Sequence, residues 1–180
     1  MVEISKSLYD ARVRRKFGKH PFYHYFIKCD EFEETLLPVL LYVERKTLCL
    51  QSYTLSIGHC NALAKACEYL EEIGINRMIF DNCGVDDEEF AAILGGIKKL
   101  KNFKKIVYRY NVFQQESYNA LRPILAAKIP NHLEELRIEN CQMSEDIVTQ
   151  LLETLTTRCF LKALGLVKIG LTELNWPLMV

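Results

Sequence analysis

One eleven-residue pattern recurs along this chain and constrains its fold more than any other feature. Residues 133–143 read LEELRIENCQM, with apolar residues at the first, fourth, sixth and eleventh places and a cysteine at the ninth. Residues 75–85 and 103–113 fill the same places, with Cys83 and Asn111 at the ninth. Because such self-similarity is typical of repeat architectures, the pattern predicts a stack of similar units.

Two further units follow the pattern less closely. Residues 161–171 place Ile169 at the ninth position, and a modified first unit at residues 45–55 has Arg45 at the first place and Tyr53 at the ninth. The fourth places recur at intervals of 30, 28, 30 and 28 residues, at Leu48, Met78, Ile106, Leu136 and Leu164. The regular spacing predicts about five repeats between residues 45 and 180.

The spacing inside each unit predicts a short strand followed by a helix. The fourth and sixth places are two residues apart, so their side chains share one face of a strand. We expect these side chains, including Leu164, to face the core. The ninth-place Asn or Cys can hydrogen-bond the backbone where the chain leaves the strand, and a helix is the usual return to a parallel neighbour.

The segments between the units support such helices. Asp86-x-x-Glu89 is a capping-box-like start, and Ser144 can cap a later helix. Pro123 lies inside another helical stripe, where we expect a kink or a helix that begins near Arg122. Apolar stripes at helical spacing are Leu63, Cys67 and Leu70; Phe90, Ile93, Leu94 and Ile97; Leu121, Ile124 and Leu125; and Ile147, Val148, Leu151, Leu152 and Leu155.

Composition favours a globular protein of the cytoplasm. The 180 residues contain 23 basic and 23 acidic side chains, so net charge favours neither nucleic acid nor membrane. The seven cysteines are odd in number and scattered, which indicates buried free thiols in a reducing compartment. No apolar run approaches the roughly 18 residues of a membrane span.

The repeats resemble the ribonuclease-inhibitor-like class of leucine-rich repeats, which return each strand through a full helix. The resemblance covers about residues 47–171 and implies a right-handed α/β solenoid, with parallel strands on the concave face and helices on the convex face. Members of this class mostly bind other proteins. One branch activates the Ran GTPase, and others are innate immune sensors, actin regulators and axonemal scaffold subunits.

The two ends fall outside the regular repeats. We expect residues 1–44, with a basic run at 12–19 and a helix starting at Asp30-x-x-Glu33, to form a helical N-terminal cap or a partner-docking arm. The remainder, residues 45–180, is the repeat domain. Since the final unit lacks a helix to cover it, we expect the stack to continue in a longer protein or a partner to cover that end.

The third, fifth and seventh places of each unit form a surface that we call the polar face, which is the concave side of a solenoid of this class. One interpretation is a ladder of cross-strand ion pairs that keeps the face soluble. The other, compatible with it, is a docking face for proteins anchored by Arg109 and Arg137. The candidate partner-binding residues are Arg77, Asp81, Lys105, Arg109, Glu135, Arg137 and Glu139.

No catalytic, cofactor or metal site emerges from the sequence. The spacing of His20, His24 and Cys29 lacks a fourth metal ligand. The GGIKK run at residues 95–99 lacks the first Gly and the Ser/Thr of a phosphate loop. His59 and Cys60 are neighbours on a predicted helix, where adjacent side chains do not face each other.

These observations predict a non-catalytic protein–protein interaction or scaffold module without a cofactor. We expect a cytoplasmic subunit of a larger hetero-oligomeric assembly, cytoskeletal or ciliary, that binds neither nucleic acid nor membrane. The alternative is a GTPase-activating protein of the Ran type, although no residue of that branch can be matched here position by position.

Overall fold

A computed structural model describes residues 21–37, 43–71, 73–127, 133–158 and 160–172. These residues form five helices and one open, six-stranded sheet. The helices are α1 (Pro21–Glu31), α2 (Ile57–Leu70), α3 (Asp87–Ile97), α4 (Gln115–Leu125) and α5 (Glu145–Arg158). The strands are β1 (Val43–Glu44), β2 (Thr47–Gln51), β3 (Arg77–Asp81), β4 (Lys105–Arg109), β5 (Glu135–Glu139) and β6 (Ala163–Val167).

The strands lie side by side in the order of the sequence. A tight hairpin pairs β1 antiparallel with β2, and β2 to β6 are then parallel. The register places the fourth position of each unit beside the fourth position of the next: Leu48, Met78, Ile106, Leu136 and Leu164. The predicted strand of every unit, and its alignment with its neighbours, are therefore confirmed.

The core lies between the sheet and the helices. Fourth- and sixth-place side chains of β2 to β5 are at most 1% exposed and join one apolar cluster with the buried faces of α2 to α5. The last strand departs from the prediction, because Leu164 is 49% exposed. Since β6 is the last strand of the sheet, its side chains have strand and helix neighbours on one side only among the described residues.

Two helices begin where the sequence predicts a start: α3 directly after Asp86 and α5 directly after Ser144. Asp86 and Glu89 form the expected capping box at the start of α3. Of the two alternatives at Pro123, a helix that begins near Arg122 is wrong, because α4 begins at Gln115 and continues through the proline. Pro123 stands two residues before the helix ends, so the one hydrogen bond that it cannot donate, to the carbonyl of Asn119, lies near the end of the helix.

The N-terminal helix lies earlier than predicted. The expected start at Asp30 is wrong: α1 covers the aromatic segment instead and ends at Glu31. Tyr23 and Tyr25 are buried, and α1 packs on α2, so burial of these rings decides the position of the helix. The basic run at 12–19 and the final residues 173–180 lie outside the described residues.

Within the described residues, no helix combines the length and the apolar character that crossing a bilayer requires.

Candidate functional site

The polar face consists of three rows of side chains that cross the sheet. The register adds three residues of β2 to the positions taken from the sequence. The first row is Thr47, Arg77, Lys105, Glu135 and Ala163; the second is Cys49, Ile79, Val107, Arg137 and Gly165; and the third is Gln51, Asp81, Arg109, Glu139 and Val167. The seven candidate partner-binding residues thus share one side of the sheet.

The third row contains the alternating ion pairs expected from the sequence. Arg109 lies between two carboxylates, with its Nε 2.7 Å from Glu139 Oε2 and one terminal nitrogen 3.9 Å from Asp81 Oδ2. The Nε contact is a close ion pair without hydrogen-bond alignment, since that atom lacks a well-directed acceptor. Arg109 is therefore held by its neighbours rather than free.

The other predicted anchor, Arg137, is also engaged. Its Nε donates to Glu135 Oε1 at 2.7 Å, and Lys105 pairs with the same carboxylate. Partial burial raises the pKa of Glu135, but the hydrogen bonds from Lys105 and Arg137 outweigh it and hold the pKa below its ordinary value. The Arg137 stem also lies over Gly165, where an added Cβ would be 3.1 Å from Arg137 Cγ.

The second row is mainly apolar, and its middle is closed to solvent. Val107 is 1% exposed although the sequence places it on the polar face, whereas Ile79 is half-buried and Cys49 is exposed. Lys105 and Arg109, with the carboxylates that they pair with on β5, lie in the two rows that flank Val107. We attribute the burial of Val107 to these side chains. The accessible apolar surface of this row therefore lies at the β2–β3 end.

Arg77 is the one charged residue of the polar face without a partner among the described residues. No described carboxylate pairs with it, and its buried Nε has no hydrogen-bond partner there. Its neighbours in the first row are Thr47 and Lys105, neither of which is acidic. A guanidinium in this position retains its capacity to bind a carboxylate.

A cavity of about 860 Å³ opens at this end of the polar face. Its lining includes Arg77 of β3 and the outward residues of β2, together with the β1–β2 hairpin and the residues after β2: Glu44, Arg45, Thr47, Cys49, Gln51 and Tyr53. Sequence reasoning did not identify this cavity, because the first unit is the least regular. The sequence does contain one signal of an open site here: when the units are aligned, no acidic residue lies beside Arg77.

A second polar cluster joins the segment after α1 to the start of α2. Ser56 Oγ lies 2.7 Å from His59 Nδ1 and donates to Glu34 Oε1 at 2.5 Å. The other ring nitrogen, Nε2, lies 2.7 Å from the carbonyl oxygen of Thr35. His59 therefore contacts Ser56, three residues earlier, rather than the adjacent Cys60.

This Ser–His–Glu cluster is a helix cap rather than a catalytic arrangement. Ser56 and His59 form a reciprocal capping box, in which each side chain accepts from the backbone N–H of the other. His59 is 7% exposed and both of its ring nitrogens already have partners. A substrate therefore has no access to the base, and the cluster fastens residues 34–35 to α2.

The remaining motifs have structural roles in the described residues. His24 stacks on Tyr69. Gly96 lies where α3 approaches α2, since an added Cβ would come within 2.6 Å of the Ala64 backbone. The described residues contain no cluster of three or more His, Cys, Asp or Glu arranged to hold a metal ion.

No model of a known protein family matches this chain. No curated protein matches it either.

Proposed function

We propose that the chain is a leucine-rich-repeat solenoid of the ribonuclease-inhibitor-like class, with right-handed crossovers. Support comes from the one-to-one register of five parallel strands, each followed in β2 to β5 by a helix that packs on its neighbours. Further support comes from the ninth-place residues, which make equivalent hydrogen bonds in three successive units. In such an architecture the polar face is concave and available to a partner.

The proposed function is a non-catalytic scaffold that binds other proteins through the polar face. The observation that carries it is a sheet with one face buried under helices and the other lined by partly exposed charged side chains. Such a face offers both charge complementarity and a broad contact area to a protein. The setting we propose is a larger assembly in the cytoskeleton or the axoneme.

The direct test compares the proteins captured by the wild-type chain with those captured by a variant of the polar face. The variant carries Arg109→Glu and Arg137→Glu, and mass spectrometry identifies what each chain retains. A matched control reverses two exposed charges on the helical side, Lys98→Glu directly after α3 and Arg122→Glu on α4. We expect a stoichiometric partner that the control retains and the polar-face variant loses. Identical capture by both variants would refute the proposal.

A second test separates the scaffold from the GTPase-activating alternative that the resemblance implies. Hydrolysis of GTP by purified small GTPases, Ran among them, is followed with and without the chain. The scaffold proposal expects no stimulation, because the polar face offers no residue matched to that activity. Clear stimulation of any one GTPase contradicts it.

A further inference from the structure

We propose that the cavity beside Arg77 is a docking pocket for an acidic side chain of a protein partner. The occupant is an extended peptide segment that presents an Asp or Glu to Arg77 and an apolar residue to Cys49 and Ile79. This inference rests on the proposed function and locates a protein-binding site at the β2–β3 end of the polar face. It adds an anchor at Arg77 to the surface around Arg109 and Arg137.

The distribution of charge along the polar face supports this place. Arg109 is compensated by Asp81 and Glu139, and Lys105 by Glu135. A partner that binds either of them must first compete with a carboxylate already in place. Arg77 has no carboxylate to be displaced, so a partner's carboxylate can form a charged hydrogen bond with it without competition.

Arg45, at the lip of the cavity, strengthens the preference for an acidic side chain. Arg45 contacts Glu44 at 3.6 Å, but both side chains are almost fully exposed, and such a pair contributes little. Arg45 is consequently free to turn toward an incoming carboxylate. Together with Arg77 it places two guanidinium groups around the cavity, against the single carboxylate of Glu44.

The Arg77 side chain lacks a hydrogen-bond acceptor among the described residues. Its Nε is buried without an acceptor, and a buried unsatisfied donor is costly. The guanidinium group matches a carboxylate through two parallel N–H donors. A partner carboxylate that binds the guanidinium group from the cavity would give Arg77 the acidic partner that it lacks among the described residues, and a lysine at this position could not reproduce the paired geometry.

The remaining walls suit a peptide rather than a single small anion. A volume of about 860 Å³ exceeds what one carboxylate needs. Thr47 and Gln51 offer polar side chains to a peptide backbone, and Cys49 offers apolar surface between them. Ile79 lies beside Cys49 in the second row and extends that apolar surface beyond the cavity. Because the cavity opens on the polar face, a chain segment can enter it without ending there.

The test begins with random peptides displayed on phage and selected against the full chain. Enriched sequences are synthesised, and their affinity is measured by fluorescence anisotropy for the wild type, Arg77→Ala, Arg77→Lys and the control Arg122→Ala. We expect the enriched peptides to share an Asp or Glu. Arg77→Ala should weaken binding by about tenfold or more, as expected for loss of a charged hydrogen bond. Arg122→Ala should leave affinity unchanged, and Arg77→Lys should restore it in part.

A footprint on the wild-type chain tests the location independently of any substitution. Cys49 is exposed, whereas the other described cysteines are buried. Alkylation of Cys49 by iodoacetamide, followed by mass spectrometry of its tryptic peptide, should slow several-fold when the peptide is present. This arm remains informative if the Arg77 variants fold poorly, which circular dichroism and thermal melting will show.

The outcomes separate this inference from the proposed function. Peptides that bind without an acidic residue, or that leave Cys49 unprotected, overturn the Arg77 pocket. If their binding is lost in the Arg109→Glu, Arg137→Glu variant, protein binding by the polar face stands while the pocket does not. If selection enriches no peptide, and the wild type retains no partner that the polar-face variant loses, both fail.

Discussion

At the scale of single residues, the ninth place of each unit is the clearest link between sequence and fold. Asn111 Nδ2 donates to the carbonyls of Phe80 and Arg109. Cys83 and Cys141 donate through Sγ to the equivalent pairs of carbonyls, one on the preceding strand and one on their own. Asn or Cys recurs there because each supplies a donor small enough to remain buried.

Asn111 makes two additional contacts and should therefore be the most sensitive of the three. Its Oδ1 accepts from the backbone N–H groups of Cys83 and Val85. Asn111→Ala leaves buried backbone groups unpaired and should lower the free energy of unfolding by about 3 kcal/mol. Asn111→Cys keeps the donor and should cost about half as much.

Urea denaturation of each variant measures these losses. Asn119→Ala is the matched control, because Asn119 is exposed on α4 and accepts one bond from Gln115; we expect a loss below about 0.5 kcal/mol. If Asn111→Ala is no more destabilising than this control, the hydrogen bonds of the ninth place do not hold the repeats together.

Glu134 offers an electrostatic prediction at the same scale. The hydrogen bond from Lys162 holds the pKa of its carboxyl below the ordinary value, with Lys104 contributing. A lowered folded-state pKa stabilises the protein above the ordinary pKa, and that contribution is lost as pH falls through the folded-state pKa. Lys162→Met should move the Glu134 pKa upward in a carbon-13 NMR titration. Lys101→Met, on an exposed turn, should not; an unmoved pKa in both variants contradicts the pairing.

At the scale of elements, one helix of the stack caps the next. Gln114 precedes α4 but provides no side-chain cap. The carboxylate of Asp87, in the first turn of α3, accepts instead from the backbone N–H groups of Gln114, Glu116 and Ser117. The start of α4 thus depends on a residue of the preceding unit.

Removing this cap should destabilise the stack by more than a surface change does. Asp87→Ala leaves the N–H groups of Gln114, just before α4, and of Glu116 and Ser117 in its first turn without this acceptor. The change should lower the free energy of unfolding by about 2 kcal/mol. Glu88→Ala, an exposed acidic residue in the same turn, is the control and should change it by less than about 0.5 kcal/mol. Chemical denaturation of both variants checks this, and equal losses would show that Asp87 acts through helix charge alone.

The elements also show where sequence reasoning reaches its limit. The capping box of Asp86 and Glu89 was predictable because both residues lie in one short segment. The cap supplied by Asp87 was not, because the backbone N–H groups that donate to its carboxylate lie 27 to 30 residues away. The position of α1 was missed for a related reason: its aromatic residues become buried through contact with α2, which no local pattern reveals.

At the scale of the whole molecule, the repeat period was sufficient to place every parallel strand beside the correct neighbour. The same alignment predicted the ion pairs of Arg109, since opposite charges fall on adjacent strands. It did not predict that Val107 is buried or that a cavity lies beside Arg77. The burial of Val107 depends on the directions of long side chains, which the repeat pattern does not specify. The cavity depends on the β1–β2 hairpin, which lies outside the regular part of the repeat.

The edge of the sheet gives a final prediction about the whole molecule. Ala163 donates to Glu134, and Val167 accepts from Asn140, so the odd residues of β6 point their backbone groups toward β5. Because these directions alternate along a strand, the N–H groups of Leu164 and Leu166 point away from β5. No strand of the described residues pairs with that side.

Hydrogen exchange followed by NMR should therefore distinguish equivalent positions of different units. The amides of Leu164 and Leu166 should exchange on the order of 100-fold faster than those of Ile106 and Tyr108, which hold the same places on β4 and pair with β5. Equal protection would mean that another strand covers β6. Dilution then identifies its source, because protection by a second copy of the chain falls with concentration, whereas protection by a segment of the same chain does not.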